Sequence, residues 1–248
     1  MYFSSENGIF KKEEIGFEYT NFTTIKRSER GYRIDSYYRC FSGFFFRSVF
    51  ARESSESYFS CSKNRGSLCL KKIYPEAILI GERNGIQING FDYGNSPSEI
   101  IDQDLRDKII IHTTSAGVQG IMNATKADEM VTGALVNAKA TISYIQRKKC
   151  DIVSIVPMGW NGKRMSEEDN LCAQYMMSLL KGEKFPNLEA KIESLKQSEG
   201  KKFFDPTQPQ FPKEDFELCT QVDCFQGVNR VVWENHQCQM VWEKVHEV

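Results

Sequence analysis

Residues 81–120 read GERNGIQINGFDYGNSPSEIIDQDLRDKIIIHTTSAGVQG, and their reading decides the fold. The stretch joins two glycine-rich turns through an apolar strand. Gly81-Glu82-Arg83-Asn84-Gly85 follows the apolar run Ala77-Ile78-Leu79-Ile80, and Thr113-Thr114-Ser115-Ala116-Gly117 follows Ile109-Ile110-Ile111. Twice, then, a short buried-type strand empties into a loop of small and polar residues. In open α/β sheets, ligands bind at the carboxyl ends of strands, so the chemistry of this chain is expected at these two loops.

The same rhythm continues downstream. Gly117 to Ala124 reads as a short helix, and Ala127–Gly133 as a strand with Met130 and Val131 as its apolar positions. Asn137 to Lys149 is a helix: Ala138, Ile142 and Ile145 fall on one stripe, and Arg147, Lys148 and Lys149 sit where cations suit the helix dipole. Asp151–Pro157 (DIVSIVP) is a β-branched strand. The polar loop Met158–Ser166 carries Gly159 and Gly162. Ser166 then reads as the N-cap of a helix that opens with Glu167, Glu168 and Asp169 and runs to Gly182. Between the two opening loops, Asn89-Gly90 and Gly94-Asn95 mark turns. Ser96 with Pro97 at N1 and Glu99 at N3 reads as a capping box for a helix closing at Asp102 to Lys108. Strand, loop and helix alternate at least three times, which predicts an α/β layered domain with a parallel or mixed sheet.

The tail has a different texture. Asn187–Gln197 reads as a charged helix, KKFFDPTQPQFP as a proline-bearing loop, and Lys213–Gln221 as a short helix. Val228–Trp233 and Gln239–Val245 read as a hairpin around Glu234–Cys238. Residues 185–248 are therefore expected to form a small α+β lobe on the main sheet, within one domain covering residues 1–248.

The length, 248 residues, suffices for a full-sized core. A formal net charge of -1 implies no nucleic-acid surface. No apolar run approaches the ~18 residues of a membrane span, and the opening MYFSSENGIFKKEE has no apolar core of a secretory signal, so a cytoplasmic protein is expected. The eight cysteines include no C-x2-C pair and only three histidines accompany them, so reduced thiols are expected, and a structural zinc site is not.

Residues 26–69 stand apart. They are crowded with Ser, Arg, Phe and Tyr, nearly lack aliphatic residues, hold Phe44-Phe45-Phe46 together, and follow neither a 3.6- nor a 2-residue period. Their local signals do not agree on one structure.

Among chemistry-bearing residues, Glu82 and Arg83 offer a carboxylate and a guanidinium at one strand end. Arg83 suits bidentate binding of phosphate, sulfonate or carboxylate, and Glu82 suits a metal or a base; a surface ion pair explains both equally well. Asp92, beside Gly90, Gly94 and Asn95, suits an Asx-turn as well as a site. Thr113, Thr114 and Ser115 resemble an anion cradle, or simple N-capping. His112 suits acid–base work or a structural hydrogen bond. Glu167, Glu168 and Asp169 favour any helix start, and Cys172 suits packing. Together the three strand ends bring an arginine, several carboxylates and several hydroxyl donors, a set that fits Mg²⁺-assisted chemistry on an anionic substrate.

The motifs GERNG, GFDYGNSP, HTTSAGVQG, TGALVNA (Thr132–Ala138), SIVPMGWNGKRMSEEDNLCAQY (Ser154–Tyr175) and FFDPTQPQFPKEDFELC (Phe203–Cys219) stand in one order. In that order and with that spacing they resemble the 2-phosphosulfolactate phosphatase family, the ComB-like proteins, from about Leu70 to about Val228. The resemblance implies a three-layer α/β/α fold and a Mg²⁺-dependent phosphatase. The reaction it implies is hydrolysis of 2-phospho-3-sulfolactate to 3-sulfolactate and phosphate, a step towards coenzyme M. It implies a small phosphorylated anion as ligand, neither nucleic acid nor membrane as partner, and leaves a homodimer open. Carried over by motif, Glu82, Arg83, Asp92 and Asp169 are the catalytic candidates. Arg83, Asn95, Thr114, Ser115 and Asn137 are the substrate-binding ones, and Glu82, Asp92, Glu168 and Asp169 the Mg²⁺ ligands.

The departure lies in the first quarter. The family has an apolar strand there, followed by a D-x-x-R-A loop. This chain has Arg33-Ile34-Asp35-Ser36-Tyr37-Tyr38-Arg39-Cys40, with neither the apolar strand nor the arginine spacing. The composition from Lys26 to Cys69 reads like translation in a shifted frame. A catalytically impaired member that only binds anionic metabolites is therefore the alternative expectation.

Overall fold

The computed structural model describes residues 23–26, 33–38, 57–61, 63–115, 117–124, 127–150, 152–160, 164–235 and 237–245. The strands are β1 (Thr23–Lys26), β2 (Arg33–Tyr38), β3 (Ser57–Ser60), β4 (Ile78–Arg83), β5 (Ile86–Gln87), β6 (Ile109–Thr113), β7 (Glu129–Gly133), β8 (Ile152–Pro157), β9 (Gly227–Glu234) and β10 (Gln237–Lys244). The helices are α1 (Asn64–Ile73), α2 (Pro97–Ile100), α3 (Gly117–Asn123), α4 (Ala138–Lys148), α5 (Glu167–Lys181), α6 (Leu188–Leu195) and α7 (Lys213–Cys219), with 3-10 turns at Leu135–Asn137 and Glu199–Phe204. The sheet runs in the order β1-β8-β2-β7-β9-β10-β3-β6-β4-β5.

Period two explains the layers. Successive side chains of a strand point to opposite faces. Tyr58, Ile80, Ile110 and Met130 enter one apolar cluster, while their neighbours Phe59, Leu79, Ile111 and Val131 enter the clusters on the other side. One face is covered by α3 (Ile121) with Ile100 and Leu105. The other is covered by α4 and α5 (Ile142, Ile145, Cys172, Met176) and by α1 (Leu70). The result is an α/β/α arrangement of mixed sheet and helices. Full burial of residues such as Ile110 and Ile111 contributes about 1.5–3 kcal/mol each.

β2, β7 and β8 are mutually parallel, and so are β3, β6 and β4. The β9–β10 hairpin joins the two groups through antiparallel pairings with β7 on one side and β3 on the other. The hairpin expected in a lobe beside the sheet is thus built into its centre. Val231 and Met240 belong to the same cluster as Ile80 and Ile110, which is the physical reason: their apolar faces are completed only inside the sheet.

Two further expectations shift. The helix after Ser96 runs only to Ile100, and the segment after it is turn-like: Asp104 accepts hydrogen bonds from the Arg106 backbone N–H and guanidinium, and Asp107 takes a left-handed φ of 56°. The capping box does not form, since the Ser96 hydroxyl donates to Asp215 Oδ1 at 2.9 Å. The compositionally anomalous stretch 26–69 contains described elements of its own. Tyr58 and Phe59 are buried in β3, and α1 begins at Asn64. Most of the stretch before β3 lies outside the described residues, as does any D-x-x-R-A equivalent after β2. The backbone of β2 itself fills the slot between β7 and β8.

Candidate active site

A cavity of about 280 Å³ opens where the ends of β4 and β8 converge, although six strands separate them in the sheet order. Glu82, Asn95, Glu168, Asp169, Lys202 and Asp215 are among its lining residues.

β4 continues three residues beyond the apolar run, through Gly81, Glu82 and Arg83, and turns tightly into β5, pairing Glu82 with Gln87 and Arg83 with Ile86. Asn84 (φ 57°) and Gly85 (φ 82°) both take positive φ, as a two-residue hairpin turn requires. Glu82 is buried, and its Oε1 accepts from Ser115 N–H at 2.8 Å. Its Oε2 accepts from Gly85 N–H at 2.9 Å and from the Ser115 hydroxyl at 3.1 Å. One carboxylate therefore latches the β4–β5 turn to the loop after β6. Of the residues expected as an anion cradle or as simple N-capping, Ser115 gives its N–H and hydroxyl to the protein's own Glu82, and Thr113 Oγ1 accepts from Arg83.

The residue after Glu82 points elsewhere, as strand alternation demands. Arg83 Nη1 donates to the Glu82 carbonyl at 2.6 Å and Nη2 to Thr113 Oγ1 at 2.9 Å, so its guanidinium braces the strand end and does not line the cavity. Asp92 is exposed and accepts from Leu79 N–H at 2.8 Å, closing the loop back onto β4; the turn reading of this residue is the one realised. Asn137 is buried, accepts from Ala134 N–H at 2.9 Å and donates to the Gly227 carbonyl at 3.1 Å. It ties the exit of β7 to β9 and lies outside the cavity wall. Thr114 is buried beside the latch and likewise does not line the cavity.

Asn95 does line it. Its Oδ1 meets His112 Nε2 at 2.9 Å, and His112 Nδ1 meets the Tyr58 hydroxyl at 2.6 Å. His112 is fully buried, so it orients Asn95 from behind the wall.

The second wall is the start of α5. Asp169 is buried and accepts from Gly159 N–H at 2.6 Å. Gly159 (φ 60°) admits no side chain, because a Cβ would stand 2.0 Å from the Arg164 carbonyl oxygen. Glu168 is buried next to Asp169, and its Oε2 has no hydrogen-bond partner among the described residues. Burial first, then the Asp169 charge, pushes the Glu168 carboxyl up to about 8. A cation beside this pair would relieve both penalties. Among the described residues no three His, Cys, Asp or Glu side chains form a ready cage. Mg²⁺ needs none: it binds commonly through one or two carboxylates plus substrate oxygens and water. The donor set of Glu168 and Asp169 therefore fits Mg²⁺, whereas Glu82 is engaged by three donors and Asp92 does not line the cavity.

The third wall was not singled out residue by residue from sequence. Lys202, Phe203, Gln210, Phe211 and Asp215 line the cavity from the segment that contains FFDPTQPQFPKEDFELC. That motif was visible, but a proline-bearing loop has no periodicity to say which side chains face inward. Asp215 is buried and accepts from Ser96 Oγ and Ser98 N–H, both at 2.9 Å, which fastens α7 to α2. Burial raises its carboxyl above the usual range.

Residues 48–233 match the family described as 2-phosphosulpholactate phosphatase. The chain belongs to the 2-phosphosulfolactate phosphatase family. It is 32% identical over 158 residues to a probable 2-phosphosulfolactate phosphatase of Bacillus subtilis, covering 62% of this chain and 68% of the relative. A protein of the same name from Carboxydothermus hydrogenoformans is 37% identical over 130 residues, 52% of this chain and 53% of the relative. One from Clostridium perfringens is 34% identical over 111 residues, 45% and 44% respectively. The matches thus span about half to two thirds of these curated relatives. All three walls of this phosphatase-family cavity, at 82–95, 159–169 and 202–215, lie within the matched residues. No helix among the described residues is long and apolar enough to cross a membrane.

Proposed function

We propose that the protein is a Mg²⁺-dependent phosphatase that hydrolyses 2-phospho-3-sulfolactate to 3-sulfolactate and phosphate, a reaction of the coenzyme M type. The observation that carries this reading is the pair Glu168–Asp169: two adjacent buried carboxylates on a cavity wall, one with an unpartnered oxygen. An acid-lined cavity repels a phosphorylated anion unless a cation stands between them. Bound Mg²⁺ supplies that neutralisation for the phosphoryl oxygens.

The chain's own residues supply the rest. Asp169 is oriented by the Gly159 N–H, and Glu168 faces the same cavity. Asn95, held by His112, brings a preoriented amide to the phosphoryl group. Glu82 keeps the Ser115 loop and the β4–β5 turn in register around the substrate. Trp160, Phe203 and Phe211 exclude bulk water from one side.

Phosphate release from 2-phospho-3-sulfolactate, measured with Mg²⁺ and with EDTA, tests the reading. Release that depends on Mg²⁺ is expected; soluble folded protein that releases none under either condition overturns it. A panel that replaces the sulfonate by a carboxylate separates the named substrate from other phosphorylated hydroxy acids. A second reading, an impaired member that binds anionic metabolites without turnover, draws support from β2. The slot between β7 and β8 is filled there by RIDSYY in place of an apolar strand. Binding of 2-phospho-3-sulfolactate by calorimetry without phosphate release supports that reading.

A further inference from the structure

Phe211 joins two of the three cavity walls. Its backbone belongs to the segment that forms the third wall, and its ring is seated on the β4–β5 turn of the first. The seat exists because position 85 is glycine: a Cβ there would stand 2.3 Å from Phe211 Cζ and 2.7 Å from Cε1. Gly85 also lies at φ 82°, so the turn and the ring both call for a residue without a side chain. On its other side the ring meets Phe203 edge to face, with 5.8 Å between centroids, and Phe203 packs on Phe216 at 6.0 Å. Phe203 and Phe216 are buried in the apolar cluster against which Phe211 also packs.

The chain holds the ring from both directions. Before it, Asp205 Oδ1 accepts from the Thr207 N–H at 2.9 Å and the Thr207 hydroxyl at 2.6 Å, and Oδ2 accepts from Gln208 Nε2 at 2.9 Å. The Phe211 N–H donates to the Gln208 carbonyl at 3.0 Å, and Pro206, Pro209 and Pro212 fix φ along the segment. After it, Asp215 fastens α7 to Ser96 and Ser98. Phe211 is thus part of a fixed wall. The cavity it closes, about 280 Å³, stands at the small end of the roughly 300–1,000 Å³ usual for small-molecule sites. The ring brings no polar group to a ligand, so its contribution is shape. Any ligand portion that extends between the first and third walls meets it.

We propose that Phe211, seated on Gly85, is the specificity residue that sets the upper size of the substrate. It confines the cavity to phosphate monoesters of short, few-carbon alcohols and excludes those with a ring system in the alcohol portion. The proposal rests on the phosphatase reading for the phosphate ester and adds the size class, which the acidic walls do not determine.

Phosphate release and calorimetric binding, each with 2-phospho-3-sulfolactate and with naphthyl phosphate in the presence of Mg²⁺, test it in wild type, Phe211→Leu and Phe211→Ala. The ratio of kcat/KM for the naphthyl ester to that for the short ester is compared between proteins, which cancels the intrinsic reactivity of the two esters. This ratio is expected to rise at least about tenfold in Phe211→Ala, where the naphthyl ring takes the vacated space. A smaller rise is expected in Phe211→Leu, which keeps apolar packing on Phe203 and carries the test where the alanine variant does not fold. An unchanged ratio in the folded variants, or a wild type that binds the naphthyl ester as tightly as the short one, overturns the proposal and leaves the phosphatase reading intact. Where no protein releases phosphate, binding decides. Naphthyl phosphate bound more tightly by the folded variants than by wild type upholds the size wall and sinks the phosphatase reading, whereas equal binding, or none, overturns both.

Discussion

At Glu168 two effects of opposite sign compete. The helix start favours a negative charge, while burial and Asp169 oppose it, and the second pair prevails. The consequence for stability follows from proton counting. The unfolded carboxyl ionises near 4.5 and the folded one near 8, so between these values the folded protein binds more protons and stability falls as pH rises. At about 1.4 kcal/mol per unit, the effect is a few kcal/mol at its upper limit, shared with Asp169 because the two sites titrate together. Urea unfolding in EDTA at pH 5 and pH 8 is expected to show lower stability at pH 8, and Glu168→Gln is expected to flatten this dependence. A Glu168→Gln protein with the wild-type slope assigns the dependence to other groups. The sequence showed Glu168 and Asp169 as first-turn acids, and their exposure was the missing term. Helix position alone cannot distinguish a solvated dipole partner from a buried ligand pair. Of the motif residues, Asn95 lines the cavity, while Asp92 and Asn137 spend polar atoms on the backbone of their own or a neighbouring segment.

The elements around residues 81–120 were legible because their signals are local. Apolar runs gave β4 and β6, and Asn84-Gly85 marks a tight hairpin. What local signals could not show is that the two loops are joined through Glu82, whose partners Gly85 and Ser115 lie on different elements. The latch explains how two separate strand ends form one wall. It also separates two roles for Glu82. A residue needed only for Mg²⁺ leaves metal-free stability unchanged when removed, whereas a latch does not. Hydrogen bonds to a charged group contribute about 1.5–3 kcal/mol each, and they are not additive. Glu82→Ala is therefore expected to lower the unfolding free energy in EDTA by at least about 2 kcal/mol, measured by urea denaturation. Unchanged metal-free stability would contradict the latch.

For the molecule as a whole, strand–helix alternation sufficed for the fold class, but not for the order of strands. Sheet order depends on contacts between segments far apart in the chain. The β9–β10 hairpin, legible as a hairpin, carried no mark that it would sit between β7 and β3. Within the compositionally odd stretch 26–69, Tyr58 and Phe59 bury aromatic surface, which neither a 3.6- nor a 2-residue aliphatic period marks. With the hairpin central and the cavity walls drawn from residues 82–95, 159–169 and 202–215, the molecule is expected to unfold as one unit. Far-UV dichroism and the fluorescence of Trp160, Trp233 and Trp242 should give coincident transitions in denaturant. Two separated transitions would instead restore an independent C-terminal lobe.

The central claim is that phosphate ester hydrolysis takes place in this cavity with Mg²⁺ at Glu168 and Asp169. Titration of Mg²⁺ into phosphate-release assays on 2-phospho-3-sulfolactate, comparing wild type with Glu168→Gln, tests it most directly. The account predicts saturable Mg²⁺ stimulation in wild type and its loss in a folded Glu168→Gln protein. Equal stimulation of both proteins would contradict it.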